Sequence, residues 1–377
     1  MFGGRFVCEI CARLHKQTRT WISHKHKFMH MLTGNLNNWL LLRNVFPVLS
    51  TLLLIQIQLI AQSDMVKLSK KDIAVTIDSI YHKLNSNYVF PEVAVKMEEF
   101  LKTNLKDGKY STLTNPSELA SQLTNDLREI SKDKHLMVVY NPAIIARENA
   151  LTDEDRANEE TEWAKELLTH LKRDNYGFRE VKILDGNIGY LDLREFVEPR
   201  YGRETLAHAM RFLENTNAII IDLRQNDGGS PEMVQLLASY FFSSEPVVHL
   251  ANHYNRPKNE LTKSMTLSEV TGVRRPKTDL YILTSSKTFS AAEAFSYQLK
   301  SLKRAIIVGE RTAGGAHLTG SVIATDKFYV RIPQGRTTSP VTNANWEGIG
   351  VIPDIEVSAE EALNVAQTKA LEGIKNR

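Results

Sequence analysis

Beyond its first few residues the chain has no cysteine: the only two, Cys8 and Cys11, lie close to its start. The remaining chain must therefore fold without a disulfide and cannot use a thiolate nucleophile. The lone C-x-x-C, with His15 nearby, has no second ligand pair at finger-like spacing, so it does not imply zinc. Phosphate-cradling glycine loops of the G-x-x-x-x-G-K-[ST] or G-x-G-x-x-G kind are missing as well. The longest apolar run, Val45 to Ala61, contains Pro47, Gln56 and Gln58 and falls short of the ~20 apolar residues that a spanning helix needs. There is no internal repeat and no low-complexity tract. Nor does net charge argue for nucleic acid. The formal charge is +3, but residues 1–61 hold seven Lys/Arg against one acid, Glu9, so the remainder is 3 − 6 = −3.

The basic leader ahead of the 45–61 run reads as a secretory signal peptide. Gln62-Ser63-Asp64 supply small or polar residues for cleavage near Ala61 or Ser63. Export to a periplasm or the extracellular space is the expectation; a retained run would anchor the chain to a membrane through residues 45–61. Met29 and Met31 would be more ordinary starts, which makes the first thirty or so residues an expected upstream extension of the reading frame. The 377 residues are 42% hydrophobic and 24% charged, an ordinary soluble composition with length for two domains.

Three helices are expected after Ser69. Ile73, Ile77, Ile80 and Leu84 recur at helical spacing. Pro91 opens the second helix, with Met97, Phe100, Leu101 and Leu105 on one face. Asn115-Pro116 caps the third, which carries Leu119, Leu123, Leu127 and Ile130. Leu136 to Tyr140 reads as a strand stopped by Asn141-Pro142, and the charged stretch 152–172 as a solvated helix. From residue 178 strands and helices alternate. Val181–Leu184 and Gly186–Leu193 form a strand pair, Leu206, Met210 and Leu213 lie on a helix, and Ala218–Leu223 is a buried strand. After the turn Arg224 to Ser230, Pro231 opens a helix; Leu280–Leu283 is a strand, Ser290 begins another helix, and Ala305–Gly309 is again strand. Val322–Ala324 and Phe328–Ile332 flank a hairpin turn. This order argues an α/β class.

Two strand-to-helix turns carry the chemistry. At the first, Gly228-Gly229 permit close backbone approach, whether for folding alone or for a ligand. At the second, Ser290 occupies a position where free amides at a helix start can hold a developing oxyanion; serine is also a preferred cap there. The Gly228 or Gly229 N–H together with that of Ala291 would form the oxyanion hole. A serine nucleophile needs a base. Of the seven histidines after the leader, His82, His170 and His208 fall in helices, and His249 and His253 flank a loop. His135, at the junction of the helices with the first strand, and His317, after Gly314-Gly315, remain as candidates.

Four ordered stretches carry a resemblance: Asp222 to Ser230 (DLRQNDGGS), Thr288 to Glu293 (TFSAAE), Gly309 to Gly315 (GERTAGG) and Asn345 to Asp354 (NWEGIGVIPD). They resemble the tail-specific, or C-terminal processing, serine peptidases. Tyr88-Val-Phe-Pro91 and Asp133-Lys-His-Leu136 are similar to the branch related to interphotoreceptor retinoid-binding protein. The resemblance spans about residues 68–358. It implies an α/β fold with a crotonase/ClpP-like core of stacked β-β-α units, preceded by a small three-helix N-terminal domain. No PDZ insertion is evident, because residues 143–180 are too few and too helical for one.

The resemblance puts the nucleophile on Ser290 and the oxyanion donors on Gly228, Gly229 and Ala291. Tail-specific proteases proper take their base from a lysine about 25 residues after the serine. Here that neighbourhood reads Thr312 to His317, with no lysine between Arg304 and Asp326. The tricorn-like Ser-His-Glu arrangement maps instead onto Ser290, His135 and Glu347. The serine that tricorn carries before its histidine is Lys134 here, so a fourth member is missing. Glu293 and Arg224 are expected to bond turn backbones, and Trp346 to line a pocket or pack. The expected organisation is a leader over 1–63, an N-terminal helical domain over 64–142, a catalytic core over 143–359 and a helical tail over 360–377. The expected activity is that of a secreted serine-type peptidase acting on peptide or protein substrates, without metal or organic cofactor and without nucleic acid. A non-catalytic carrier of retinoid or another apolar ligand on the same fold is the alternative.

Overall fold

The computed structural model describes residues 67–152 and 162–376. The leader, its two cysteines, the run 45–61 and the acidic stretch 153–161 lie outside the described residues. Three helices come first: α1 (Lys70–Asn87), α2 (Pro91–Lys106) and α3 (Pro116–Ser131). Their starts follow local chemistry. Ser69 and Asp72 cap α1 reciprocally, Pro91 sits in the first turn of α2, and the Asn115 carboxamide accepts from the Ser117 and Glu118 amides. The helices share one apolar core with strands β1 (Met137–Tyr140) and β10 (Phe328–Thr338). Ile77, Leu84, Met97 and Leu123 pack with Phe328, Val330 and Ile332, all fully buried. Burial of each such side chain is worth about 1.5–3 kcal/mol, so the helices are seated on this sheet by substantial apolar area.

Short helices α4 (Pro142–Ala150) and α5 (Glu162–Arg173) lead to the second half. There, β2 (Phe178–Leu184), β3 (Ile188–Leu193), α6 (Pro199–Phe212), β4 (Ala218–Asp222), α7 (Pro231–Ser239), β7 (Asp279–Thr284), α8 (Ala291–Ser301), β8 (Ile306–Gly309) and β11 (Ile355–Glu356) build a sheet of order β11-β8-β7-β4-β3-β2. Only β2 is antiparallel to its neighbour. Both faces of this sheet are covered, which is why β4 reads as a continuous apolar run. Ile219 and Ile221 face α6, α7 and α8, while Ala218 and Ile220 face α9 (Ala362–Lys375).

The other sheet joins β1, β10, β5 (His249–Asn255) and β6 (Glu260–Met265), with β9 (His317–Ile323) along the second edge of β10. The hairpin expected at Val322–Ile332 is therefore longer than its apolar pattern indicated. His249 and His253, expected beside a loop, lie within β5, where His253 pairs across to Thr337. Among the described residues no helix is long and apolar enough to cross a membrane.

Candidate active site

The end of β7 and the start of α8 set Ser290. The approach, Ser285 to Phe289, is pinned to the neighbouring β4 turn. The hydroxyls of Ser285 and Thr288 donate to the Arg224 and Leu223 carbonyls (2.6 and 2.8 Å), and the Phe289 amide donates to the Asn226 carbonyl (3.1 Å). Ser290 then adopts φ +53°, ψ −116° as N-cap of α8. A non-glycine residue at positive φ in such a turn is strained, and strain of this kind persists only where surroundings over-determine it.

Gly228 lies against this turn: a Cβ built on it would come 2.9 Å from the Ser290 Cβ and 3.2 Å from the Ala291 nitrogen. Its own N–H is engaged, donating to the Asn226 side chain at 2.9 Å. Gly229 differs. Phe196 bonds the Gly228 carbonyl and the Ser230 amide on either side of it (2.8 and 2.6 Å), a parallel bridge that turns the Gly229 N–H away from Phe196. Ala291, in the first turn of α8, has a helix-start amide with no intrahelical partner. Gly229, Ser290 and Ala291 line one cavity of about 590 Å³, together with Gly315, His317 and Trp346.

His135 is buried and lies behind Gly315, outside the cavity lining. Its ring packs tilted on Phe289 with centroids 4.4 Å apart, and neither ring nitrogen has a hydrogen-bond partner among the described residues. Gly315 is 25 positions after Ser290, in the neighbourhood where the resemblance expects a lysine. A Cβ built there would meet the Phe289 ring at 2.2 Å and the His135 Cε1 at 2.6 Å. The space a side chain would enter from this position is filled by His135 and Phe289.

Glu347 lies beside His317 rather than beside His135. Its Oε2 accepts from the Ala316 amide (2.5 Å) and is 3.5 Å from His317 Nδ1, while Oε1 is buried without a partner. Asp133 joins the two histidines. Its Oδ2 accepts from His317 Nδ1 (2.6 Å) and the Tyr88 hydroxyl (3.2 Å), and its Oδ1 accepts from the His135 amide (3.0 Å) and is 3.9 Å from His135 Nδ1. Asp133, His317 and Glu347 offer ligand atoms within 4.8 Å of one another. The His317–Asp133 contact at 2.6 Å is nevertheless tighter than the ~3.3 Å separating ligands of a tetrahedral zinc with bonds of ~2.0–2.1 Å.

These surroundings push the four groups apart in acidity. Burial drives His135 down to about 3, opposed chiefly by the Asp133 charge. Burial also opposes charge on His317, but the hydrogen bond and charge of Asp133, with Glu347, outweigh it and raise that imidazole. Burial would raise Asp133, yet the His317 hydrogen bond and the two histidines hold it below the usual carboxylate range. Glu347 is raised to about 7 by burial, with the Asp133 charge adding and His317 opposing.

Residues 187–357 match peptidase family S41, and residues 59–175 match the N-terminal domain of peptidase S41 in eukaryotic IRBP. The chain carries a peptidase family S41 domain together with that family's N-terminal domain. It is similar to a carboxyl-terminal-processing protease of Synechocystis, 26% identical over 183 residues that cover 48% of this chain and 40% of that protein. A tail-specific protease of Haemophilus influenzae is 30% identical over 104 residues, 27% of this chain and 14% of that protein. The chain thus matches less than half the length of these curated relatives. In fold it is similar to a putative peptidase from Parabacteroides merdae (TM-score 0.52, 21% identity, 81% of this chain and 97% of that one). A lipoprotein from Streptococcus agalactiae is also similar (TM-score 0.51, 15% identity, 81% and 97%).

Within this chain, Asp133 and the pairing of His317 with Glu347 were not assigned roles by sequence reasoning. Asp133 stands in the Asp-Lys-His motif, so a signal existed. The partner of Glu347 did not have one, because the turn holding Glu347 meets the loop before β9 through bonds between residues distant in sequence, Gly348 N–H to the Gly314 carbonyl and Ala316 N–H to Glu347, while Asp133 arrives from the end of α3. Arg224, expected to bond turn backbone, instead grips the Asp222 carboxylate and the distant Ala359 carbonyl. Trp346 both lines the cavity and packs against Ala316 and Val351, and its indole N–H donates to the Gly315 carbonyl (2.8 Å).

Proposed function

We propose that this chain is an exported serine-type peptidase that hydrolyses peptide bonds through an acyl-enzyme on Ser290. The observation that carries the reading is the strained Ser290 turn at the mouth of α8, facing a cavity beside two helix-start and turn amides. In the proposed reaction the Ser290 oxygen attacks the substrate carbonyl carbon and its proton passes to His135. Gly229 and Ala291 donate to the resulting oxyanion, with Gly228 keeping the backbone close to Ser290. Collapse expels the amine, which takes from the imidazolium the proton that Ser290 gave up; water then attacks the acyl group, passing a proton to the same base, which returns it to the Ser290 oxygen as the acid leaves. Removal of one oxyanion donor typically costs ~10²–10³ in rate.

The absence of a side chain at Gly315, with His135 filling that space, supports His135 as the base in place of a lysine. Glu347 would act on it through His317 and Asp133, whose second oxygen faces His135. A second assignment of the base is favoured by one observation: His317 lines the same cavity as Ser290, and its Nδ1 is held by Asp133. Labelling of the folded chain by a fluorophosphonate probe is the test. We expect labelling that disappears in Ser290→Ala, and His135→Ala should slow it far more than His317→Ala. Folded protein that takes no label, or label that persists in Ser290→Ala, would sink the peptidase reading. Full-affinity binding of an apolar ligand to the unlabelled chain would then favour a carrier. The reverse ranking of the two histidine variants would move the base to His317.

A further inference from the structure

One buried carboxylate has no cationic partner among the described residues and no place in the proposed proton transfers. Glu293, fully buried in the first turn of α8, accepts four hydrogen bonds. The Ser290 amide (2.9 Å) and the Gly315 amide (2.8 Å) reach Oε2; the Gly314 amide (2.6 Å) and the Thr312 hydroxyl (2.5 Å) reach Oε1. One donor comes from the strained turn, and three come from the loop that runs into β9. That loop also carries Gly315, which backs onto His135, and the Ala316 amide that holds Glu347, and it runs directly into His317 at the start of β9. A helix cap would need only the Ser290 bond; the other three serve no capping purpose.

An ionised carboxylate can accept about four bonds, so every lone-pair direction of Glu293 is used, and a shift of either segment breaks at least one. We infer that Glu293 is a positioning residue. It fixes the distance between the nucleophile turn and the loop against which the histidines are set, and it holds Ser290 at its positive φ. The inference rests on the reading of Ser290 as the nucleophile. A misplacement of about 1 Å at reacting groups can cost ~10² in rate, and that is the scale at which this clamp would act. The group that replaces an oxygen in Glu293→Gln is a donor, and it would face N–H or O–H groups it cannot accept from.

The test compares the second-order rate of fluorophosphonate labelling and the kcat and KM for a peptide substrate across variants of the full chain. Glu293→Gln should label roughly 10–100-fold more slowly, with kcat reduced by a similar factor and KM little changed. Should that variant fail to fold, Thr312→Val and Thr312→Ser report on the same clamp. Valine, which removes the donor, should slow labelling several-fold, and serine, which restores it, should recover most of the loss. Folded Glu293→Gln that labels at the wild-type rate overturns the inference, as does Thr312→Ser no faster than Thr312→Val. Either result leaves the peptidase reading intact as long as the unaltered chain labels on Ser290. An unaltered, folded chain that does not label removes the proposed function and this inference with it.

Discussion

Two histidines flank one aspartate here, and their environments push them in opposite directions. His135 is held neutral far below its ordinary value by burial, with Arg331 and Arg128 adding to the effect and Asp133 opposing it. His317 is raised by Asp133 and Glu347. A general base must be neutral in the free enzyme, so the acid limb of kcat/KM reports which imidazole serves. With His135 as base the limb should fall well below pH 6.5; with His317 it should lie above. Glu347 itself titrates near 7, so the profile is best read in both the native chain and Glu347→Gln. An acid limb above 6.5 in both would assign the base to His317. At this scale the sequence was readable wherever a short motif carries its own geometry. Ser290, Gly229 and Ala291 line one cavity with Gly228 packed behind them, and each lies in a stretch whose turn chemistry is local. Glu347 was named from its motif, but its neighbour His317 lies 347 − 317 = 30 positions away and Asp133, which His317 also contacts, a further 184; contacts at such separations leave no periodicity behind.

Strand ends and helix starts, more than any single side chain, shape the cavity. The β4–α7 turn approaches the extension of β3 so closely that a Cβ at Gly229 would sit 2.2 Å from the Phe196 carbonyl oxygen, at φ +133°. Gly229→Ala must therefore push the turn away from Phe196 and so change its placement relative to Ser290. We expect a loss of stability of roughly 1–3 kcal/mol from backbone strain alone, with labelling of Ser290 reduced beyond what the unfolded fraction explains. Chemical denaturation and probe kinetics on the same sample check this, and a variant of native stability and native labelling would remove the argument. The elements themselves were legible because their signals are local. Pro at the first turn of α2, α3, α6 and α7 and polar caps at Ser69 and Asn115 mark helix starts. The apolar run of β4 marks a strand covered on both faces. His249 and His253 were misplaced beside a loop because β5 is only half-buried and reads His-Leu-Ala-Asn-His-Tyr-Asn, without clear alternation. The reach of β9 was similarly obscured, since His317 to Ser321 carries few apolar residues.

At the level of the whole molecule, the candidate site is assembled from two parts of the chain that meet across the β1–β10 sheet. Asp133 and His135 follow α3, whereas Ser290, His317 and Glu347 belong to the segment matched by family S41. Their relative placement depends on how the helices are seated, and sequence periodicity says which faces are apolar without saying what they meet. Apolar contact with Phe328, Val330 and Ile332 provides most of that seating, but it is non-directional. Directional contacts come from the turn after β5, where Arg256 donates to the Tyr88 and Asn85 carbonyls at the end of α1 (2.5 and 2.7 Å). The Val89 amide adds a bond to the Pro333 carbonyl of β10 at 2.8 Å. Arg256→Ala removes two charge-assisted bonds at a half-buried position, for which we expect a loss of about 1–3 kcal/mol. At roughly 2–4 °C for each kcal/mol, thermal unfolding should begin correspondingly earlier. Because Tyr88 also bonds Asp133, loosening this end of α1 should slow Ser290 labelling although Arg256 lies outside the cavity lining. Arg256→Lys, which keeps the charge but cannot fork to two carbonyls, should recover only part of both effects. A lowered melting temperature with unchanged labelling would mean that the helices hold Asp133 and His135 in place without this anchor, and that the apolar core alone sets their position.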